Sequence, residues 1–217
     1  MLDAQKTQVY FHQRARQFDS LYAEKRDLAY LFNHTFRSAI YKRVELTVRE
    51  FNGLSNFSVL DVGCGSGRNS VIFAKTGAQR VLGVDFADNM IDLARRYSDE
   101  HKVDNTCEFI KQDVMAWSTD EKFDVVVALG VFDYIQDPRA LLTRMAHFSK
   151  GKVIASFPGL SLVRAPLRKL RYSLRNCAVY FFSRTELQKA ARDAGLEDIS
   201  IHSSSSSGWM LVGRVRQ

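Results

Sequence analysis

One stretch, residues 59–67, constrains the fold of this chain more than any other. An apolar run leads into three glycines at alternate positions, Gly63, Gly65 and Gly67. Glycine tolerates positive φ and close approach to the backbone, and the free N–H groups of a following helix attract a ligand to the same space. A dinucleotide-binding fingerprint needs its third glycine at position 68, which is Arg68 here. The stretch therefore predicts a strand, a glycine-rich ligand-binding turn and a helix, with a spacing other than the dinucleotide one.

Three later segments continue the pattern. Asp85 and Asp113 each end an apolar run that is typical of a strand, and the run 123–128 opens into a loop that begins at Leu129. Helical segments separate these runs, and such alternation predicts a parallel sheet with right-handed crossovers. Ligands of these sheets bind at the carboxyl ends of the strands. We therefore expect the glycine turn, the two acids and this loop to line one edge.

The order and content of the four segments resemble the motifs of class I S-adenosylmethionine-dependent methyltransferases. Residues 60–67 are similar to motif I, in which an acid, here Asp61, precedes the glycines. The resemblance implies a Rossmann-like α/β fold of three layers: a seven-stranded, mostly parallel sheet with an antiparallel last strand, plus N-terminal helices. It also implies methyltransferase activity, with S-adenosylmethionine as cofactor and S-adenosylhomocysteine as product. The general layout is similar to the ubiquinone/menaquinone and magnesium-protoporphyrin methyltransferases.

The resemblance also implies a set of cofactor contacts. Those around the amino-acid end are Asp61, Gly63, Cys64, Gly65 and Gly67. Those at the ribose and the ring are Asp85 and Phe86, with Met90 over the purine one turn into the next helix. Those at the adenine are Asp113 and Val114, and Leu129 lies at the sulfonium end.

The N-terminal segment 11–22 is similar to a pattern of aromatic and acidic residues that closes over the cofactor in small-molecule members of the family. Tyr22 is its candidate cofactor contact, and His12 is a candidate general base if this helix folds across the pocket. An amphipathic helix with Phe11 and Phe18 in the core explains the same residues. Both interpretations remain open.

The general base has two further candidates, Asp133 and Tyr134, which follow the fourth strand where related enzymes often carry an acid or a histidine. Residues 129–132 differ from the Asn-Pro-Pro-Tyr type of tetrapeptide, which counts against methylation of exocyclic base nitrogens in nucleic acids. The sequence shows no cluster of acidic and histidine ligands, so we predict no catalytic metal.

The positive charge is concentrated in one segment. The chain has a net charge of +7, and residues 164–175 form a basic, amphipathic pattern. Arg164, Arg168 and Arg171 are the candidate substrate contacts, because arginine binds phosphate and carboxylate groups in a fork. A solvated helix face is the competing interpretation.

Length and composition predict one domain, 1–217, with a helical cap at 1–52, a core at 53–217 and a basic insertion at 158–182. Residues 1–22 lack the apolar core of a signal peptide, and the longest apolar stretch is too short to span a membrane. We expect a cytoplasmic protein. The three cysteines lie far apart and predict neither a disulfide framework nor a zinc site.

Local signals place several boundaries. Asp137-Pro138 predicts a helix start, and Ser183 with Glu186 forms a capping box whose helix ends at Gly195. Strands near 196–202 and 209–215 are too close for a helix between them, so they should pair antiparallel. We expect the serine run between them to be a flexible turn.

Three functions fit the sequence. The favoured one is a methyltransferase acting on an oxygen or nitrogen nucleophile of a small molecule, anionic or partly apolar. An RNA methyltransferase would use the basic segment on phosphates, although aromatic stacking modules are missing from the sequence. A catalytically silent cofactor-binding partner protein is the third, since a fold alone does not establish activity.

Overall fold

The computed structural model describes residues 40–159, 179–205 and 208–216. The strands of this part are β1 (Ser58–Val62), β2 (Arg80–Asp85), β3 (Cys107–Lys111), β4 (Phe123–Ala128), β5 (Ser149–Pro158), β6 (Leu196–Ser205) and β7 (Gly208–Val215). The helices are α1 (40–49), α2 (Arg68–Lys75), α3 (Asp88–Glu100), α4 (Pro138–Phe148) and α5 (Arg184–Asp193), with a short 3-10 turn η1 (Phe132–Tyr134) after β4.

These strands form one seven-stranded sheet in the order β3-β2-β1-β4-β5-β7-β6. The first five strands pair in parallel, while β7 is antiparallel to both of its neighbours, β5 and β6. The predicted fold class is confirmed. From β1 the sheet continues through β2 and β3 on one side and through β4 and β5 on the other, so the strand order changes direction between β1 and β4. Ligands of such sheets usually bind at this switch point, outside the carboxyl ends of the strands.

Apolar side chains form a large buried cluster on each face of the sheet. Alternate residues of one strand join different clusters: Leu60 and Val62 belong to the first, whereas Val59 belongs to the second. This alternation follows from the period of two in a strand. Because both faces are buried, the central strands are mostly apolar.

Helix starts follow the local sequence signals. The side chain of Asp137 accepts the N–H of Arg139 ahead of the first-turn proline of α4. Ser183 and Glu186 form the predicted capping box of α5, with reciprocal side-chain to backbone hydrogen bonds. Gly195 follows α5 with a φ of 80°, the left-handed conformation that ends many helices.

The serine run differs from its prediction. Ser203 to Ser205 belong to β6, which pairs with β7 through Ser203↔Trp209 and Ser205↔Gly208. Pairing with a strongly apolar neighbouring strand overrides the low strand preference of serine. The expectation of a flexible turn is therefore wrong for these three residues.

The part of the N-terminal region that the structure describes is helical. Residues 40–49 form α1, in which Val44 is buried and Val48 packs against the second cluster, as the helical spacing predicted. None of the helices in the described part of the chain is long and apolar enough to cross a bilayer.

Candidate functional site

The carboxyl edge of the sheet brings most of the predicted cofactor residues together. The glycine turn follows β1, Asp85 ends β2, and Asp113 and Leu129 lie just beyond β3 and β4. The register pairs Asp61 of β1 with Gly83 of β2 and with Val127 of β4, so the ends of these strands are level. The predicted edge therefore exists.

The three glycines of the turn have different surroundings. Gly63, Gly65 and Gly67 all have positive φ, at 67°, 53° and 74°. A Cβ added at Gly63 would lie 2.5 Å from Val131 Cγ2, and one at Gly67 would lie 2.8 Å from Ala94 Cβ. A Cβ at Gly65 would meet no atom within 4 Å. Gly63 and Gly67 thus permit packing within the protein, and only Gly65 of the three borders open space.

Asp85 connects the glycine turn to the start of α3. Its Oδ2 accepts the N–H of Gly65 at 3.0 Å, and its Oδ1 accepts the N–H of Ala87 at 2.9 Å. Burial raises the pKa of this carboxyl, and hydrogen bonds from the backbone N–H groups of Ala87, Gly65 and Phe86 oppose the rise. A carboxylate has about four acceptor sites, so about one remains for a hydroxyl donor.

Asp61 is a fully buried acid behind the glycine turn. Its Oδ2 accepts the hydroxyl of Ser70 on α2 at 2.6 Å, while its Oδ1 has no hydrogen-bond partner in the described part of the chain. Burial, the largest cause, raises the pKa of Asp61 to about 7, and the charge of Asp85 adds to the rise while the Ser70 bond opposes it. An unpaired buried carboxyl oxygen is costly unless a donor reaches it. Oδ1 of Asp61 is therefore an acceptor for a polar or cationic group.

The thiol of Cys64 is packed inside the protein, where it donates to the carbonyl of Gly65 at 3.7 Å. The side chain belongs to the second apolar cluster, and its sulfur is 3.0 Å from the position of a Cβ added at Gly83. Burial raises the pKa of the thiol well above its usual value. A predicted cofactor contact at Cys64 would involve the main chain.

The adenine side of the edge combines one acid with an apolar patch. Oδ1 of the exposed Asp113 accepts the N–H of Met115 at 2.9 Å, and Val114 packs against the first cluster. Met90 and Ala87 form a small separate cluster against which Phe86 packs. This cluster lies directly after Asp85 in the chain, where the resemblance placed the purine.

The loop after β4 is attached to β5 and to Tyr180, near the end of the proposed insertion 158–182. The N–H of Gly130 donates to Ser156 Oγ at 2.9 Å, and the ring of Phe132 lies 4.3 Å from that of Phe157. The N–H of Tyr180 donates to the carbonyl of Asp133 at 3.0 Å. Asp133 is buried, and Tyr134 is half-buried on the same short turn.

Arg43 of α1 is a candidate that the sequence analysis missed. Its Nη1 lies 3.8 Å from the position of a Cβ added at Gly130, and its buried Nε has no hydrogen-bond partner among the residues that the structure describes. A cation with an unsatisfied N–H at this edge suits a carboxylate. One arginine on a charged helix carries no sequence signal of its own, so only the fold identifies it.

Five predicted site residues lie outside the described residues. They are the N-terminal His12 and Tyr22 and the three arginines of the basic segment, Arg164, Arg168 and Arg171. Their proposed roles remain predictions.

A family model described as a methyltransferase domain matches residues 10–201. The chain therefore belongs to this methyltransferase domain family. The predicted class, the class I S-adenosylmethionine-dependent methyltransferases, is confirmed, and with it the cofactor.

Curated relatives include two ubiquinone biosynthesis O-methyltransferases. The one from Rhodopseudomonas palustris (strain BisB18) is 30% identical over 135 residues, which cover 61% of this chain and 48% of that protein. The one from Idiomarina loihiensis is 37% identical over 109 residues, covering 48% and 44%. The matched part of the chain spans about half the length of each of these relatives.

Solved structures of similar fold cover nearly the whole chain. Magnesium protoporphyrin IX methyltransferase from Synechocystis PCC 6803 with bound SAH has a TM-score of 0.81 and 20% identity, covering 99% of this chain and 100% of that one. A methyltransferase in complex with the Haloferax volcanii Trm112 activator has a TM-score of 0.73 and 18% identity, covering 97% of each chain. At these identities the likeness shows the fold alone.

Proposed function

We propose that this chain transfers the methyl group of S-adenosylmethionine to an oxygen or nitrogen nucleophile of a small molecule that is anionic or partly apolar. The single observation that supports this most is the unpartnered, fully buried Oδ1 of Asp61 behind a glycine turn that is itself held by Asp85. Such a pair of acids suits an ammonium group at one end of a ligand and a diol at the other.

The residues present fit this cofactor at both ends. Open space at Gly65 leaves room for the cofactor beside the main chain of the turn. Asp61 Oδ1 would accept a hydrogen bond from the amino group of the methionine part of the cofactor. Arg43 would pair with the carboxylate of the same part. Asp85 would accept a ribose hydroxyl, and Asp113 would accept the adenine amino group through its second oxygen.

The cofactor supplies an activated methyl group on a positively charged sulfur. The residues of the chain hold the donor and exclude water. The main effect is alignment of the two reactants, which contributes roughly 7–11 kcal/mol to lowering the barrier, more than a positioned base usually supplies. The loop at Leu129 would border the sulfur end. Asp133 or Tyr134 would receive the proton of the acceptor, with His12 as an N-terminal alternative.

The acceptor would bind beyond β4 and β5. Both ends of the segment 160–178 are attached there: the N–H of Phe182 donates to the carbonyl of Pro158 at 3.0 Å, and the N–H of Tyr180 donates to that of Asp133 at the same distance. Trp209 Nε1 donates to the carbonyl of Phe182 at 3.0 Å. These contacts support the proposal that the insertion 158–182 and its arginines face the acceptor beside the η1 turn.

A contact between the N-terminal region and the sheet supports a single domain, with residues 1–52 as a helical cap over the core 53–217. Lys152 of β5 donates to the carbonyl of Glu50 at 2.6 Å, so the end of the proposed cap is joined to the sheet. Tyr22 would contact the cofactor from this cap.

The test is transfer of a radiolabelled methyl group from S-adenosylmethionine by the full chain. The acceptors offered are magnesium protoporphyrin IX, the ubiquinone-pathway substrates of the curated relatives, and bulk RNA. Label in a small molecule, lost in Asp85→Ala, supports the proposal. Label in RNA alone would favour the RNA methyltransferase, and cofactor binding without transfer to any acceptor would favour a silent binding protein.

A further inference from the structure

A buried serine fixes the peptide that joins Leu129 to Gly130. Ser156, on β5, is completely buried, and its Oγ accepts the N–H of Gly130 at 2.9 Å. Gly130 has a φ of 82°, so the chain turns sharply just where β4 ends. The hydrogen bond therefore joins the first residues of the β4 loop to the neighbouring strand.

Planarity of this peptide sets the direction of the Leu129 carbonyl. No peptide bond in the described residues is cis, and the N–H and C=O groups of a trans peptide point in opposite directions. Strand β4 lies between β5 and β1. Because the Gly130 N–H points to β5, the Leu129 carbonyl points toward the side of β1, where the glycine turn lies.

The glycine turn and this loop are close neighbours across that gap. Val131 Cγ2 lies 2.5 Å from the position of a Cβ added at Gly63, so the two segments are packed in direct contact. The unpartnered Oδ1 of Asp61 lies behind the same turn. The Leu129 carbonyl therefore faces the place proposed for the amino-acid end of the cofactor, and the buried carboxyl of Asp61 lies behind it.

We propose that Ser156 is a positioning residue for the methyl donor: by accepting the Gly130 N–H, it aims the Leu129 carbonyl at the ammonium group of S-adenosylmethionine. This inference rests on the proposed function. Ser156 itself touches neither reactant. Without its hydroxyl, the peptide would be free to rotate, and the carbonyl would lose its fixed direction.

The same strand offers a matched control. Ser149, at the opposite end of β5, is also buried, and its Oγ accepts the N–H of another glycine, Gly151, at 3.1 Å. A Ser149→Ala change removes the same kind of hydrogen bond far from the carboxyl edge, together with the one that this hydroxyl donates to the carbonyl of Lys152 at 3.2 Å. It should therefore lower the free energy of unfolding at least as much as Ser156→Ala does, whereas only Ser156→Ala should disturb the cofactor site.

The experiment measures affinity of the full chain for S-adenosylmethionine and S-adenosylhomocysteine by calorimetry, and for adenosine by ligand-observed NMR. Ser156→Ala should weaken both amino-acid-bearing ligands about tenfold and leave adenosine unchanged. Ser156→Thr, which keeps the hydroxyl, should restore their affinity, and Ser149→Ala should retain wild-type affinity. If Ser156→Ala does not fold, Ser156→Cys, a weaker acceptor of similar size, should show the same selective loss.

Wild-type affinity in a folded Ser156→Ala or Ser156→Cys variant would overturn the inference, and so would an equal loss for adenosine. Failure of the wild-type chain to bind S-adenosylmethionine would instead overturn the proposed function, so the two failures are distinguishable.

Discussion

The carboxylate of Asp85 holds the central residue of the glycine turn, since its Oδ2 accepts the N–H of Gly65 at 3.0 Å. The acid that ends β2 and the turn that follows β1 therefore form one unit. The other carboxylate oxygen holds Ala87 at the start of α3. A change at Asp85 consequently affects a proposed ligand contact and the shape of the turn together.

Asp85→Ala should weaken S-adenosylmethionine binding roughly 100-fold, because the proposed charged hydrogen bond to the ribose and the support of the turn are lost together. Calorimetry measures the effect. Asp88→Ala is the control, since Asp88 is exposed and pairs only with Lys111 among the ion pairs of the described residues. An unchanged affinity in Asp85→Ala would contradict the ribose assignment.

Gly65→Ala and Gly67→Ala should separate ligand binding from folding. Both residues need left-handed φ, which costs alanine about 1–2 kcal/mol. Gly67→Ala adds a clash with Ala94 and should lower the free energy of unfolding by about 3 kcal/mol or more. Gly65→Ala should lower the free energy of unfolding only by the cost of the left-handed φ, about 1–2 kcal/mol, but it should lose most of its cofactor affinity. Equal stability of the two variants in denaturant unfolding would refute this division.

The local parts of the fold could be predicted because adjacent residues determine them. The strand before Gly63, the proline-led start of α4 and the Ser183 capping box each depend on contacts within one turn of chain. The extension of β6 to Ser205 could not, since it depends on pairing with β7 rather than on the serines themselves.

Affinity for S-adenosylmethionine should depend on pH through Asp61. Its pKa of about 7 means that the free protein holds a proton there at lower pH. A bound ammonium group stabilises the ionised carboxylate, so binding releases a proton. Affinity should therefore increase as the pH rises toward about 7, by up to about tenfold per pH unit, and then level off.

Calorimetry in buffers of different ionisation enthalpy counts the released proton directly. Asp61→Asn, which keeps an acceptor for Ser70, should bind more weakly and lose this part of the pH dependence, while titration of the ligand's own amino group remains. The Asp61 assignment fails if the mutant and the wild type show the same slope between pH 5 and pH 7.

Arg43→Ala should weaken S-adenosylmethionine by roughly 10–100-fold and leave adenosine unaffected, because adenosine has no carboxylate. Arg49→Ala is a control on the same helix, where an exposed arginine pairs with Glu45. The same titrations measure both variants. Equal effects of the two changes would show that Arg43 acts through the net positive charge of the protein and not through a direct contact with the carboxylate.

Charge reversal at Arg168 and Arg171 should raise the Michaelis constant for an anionic acceptor while kcat changes little, because binding rather than chemistry is affected. Steady-state kinetics at two salt concentrations provides the measurement. A Michaelis constant that does not change would leave the segment as a solvated face, and a steep salt dependence of RNA binding would favour the nucleic-acid alternative.

The site was less predictable from sequence wherever it depends on distant segments. Motif spacing indicated Asp61, Asp85 and Asp113, since each lies at or near the carboxyl end of a strand. Arg43 and Ser156 carry no such signal, because they reach Gly130 from a helix and from another strand. Only the order of the strands brings these residues to one edge.

A calorimetric titration of the full chain with S-adenosylmethionine and, separately, with NAD tests most directly which cofactor the glycine turn binds. We predict saturable binding of one S-adenosylmethionine per chain, weakened in Asp85→Ala, and no binding of NAD. Binding of NAD without binding of S-adenosylmethionine would show that the cofactor assignment is wrong.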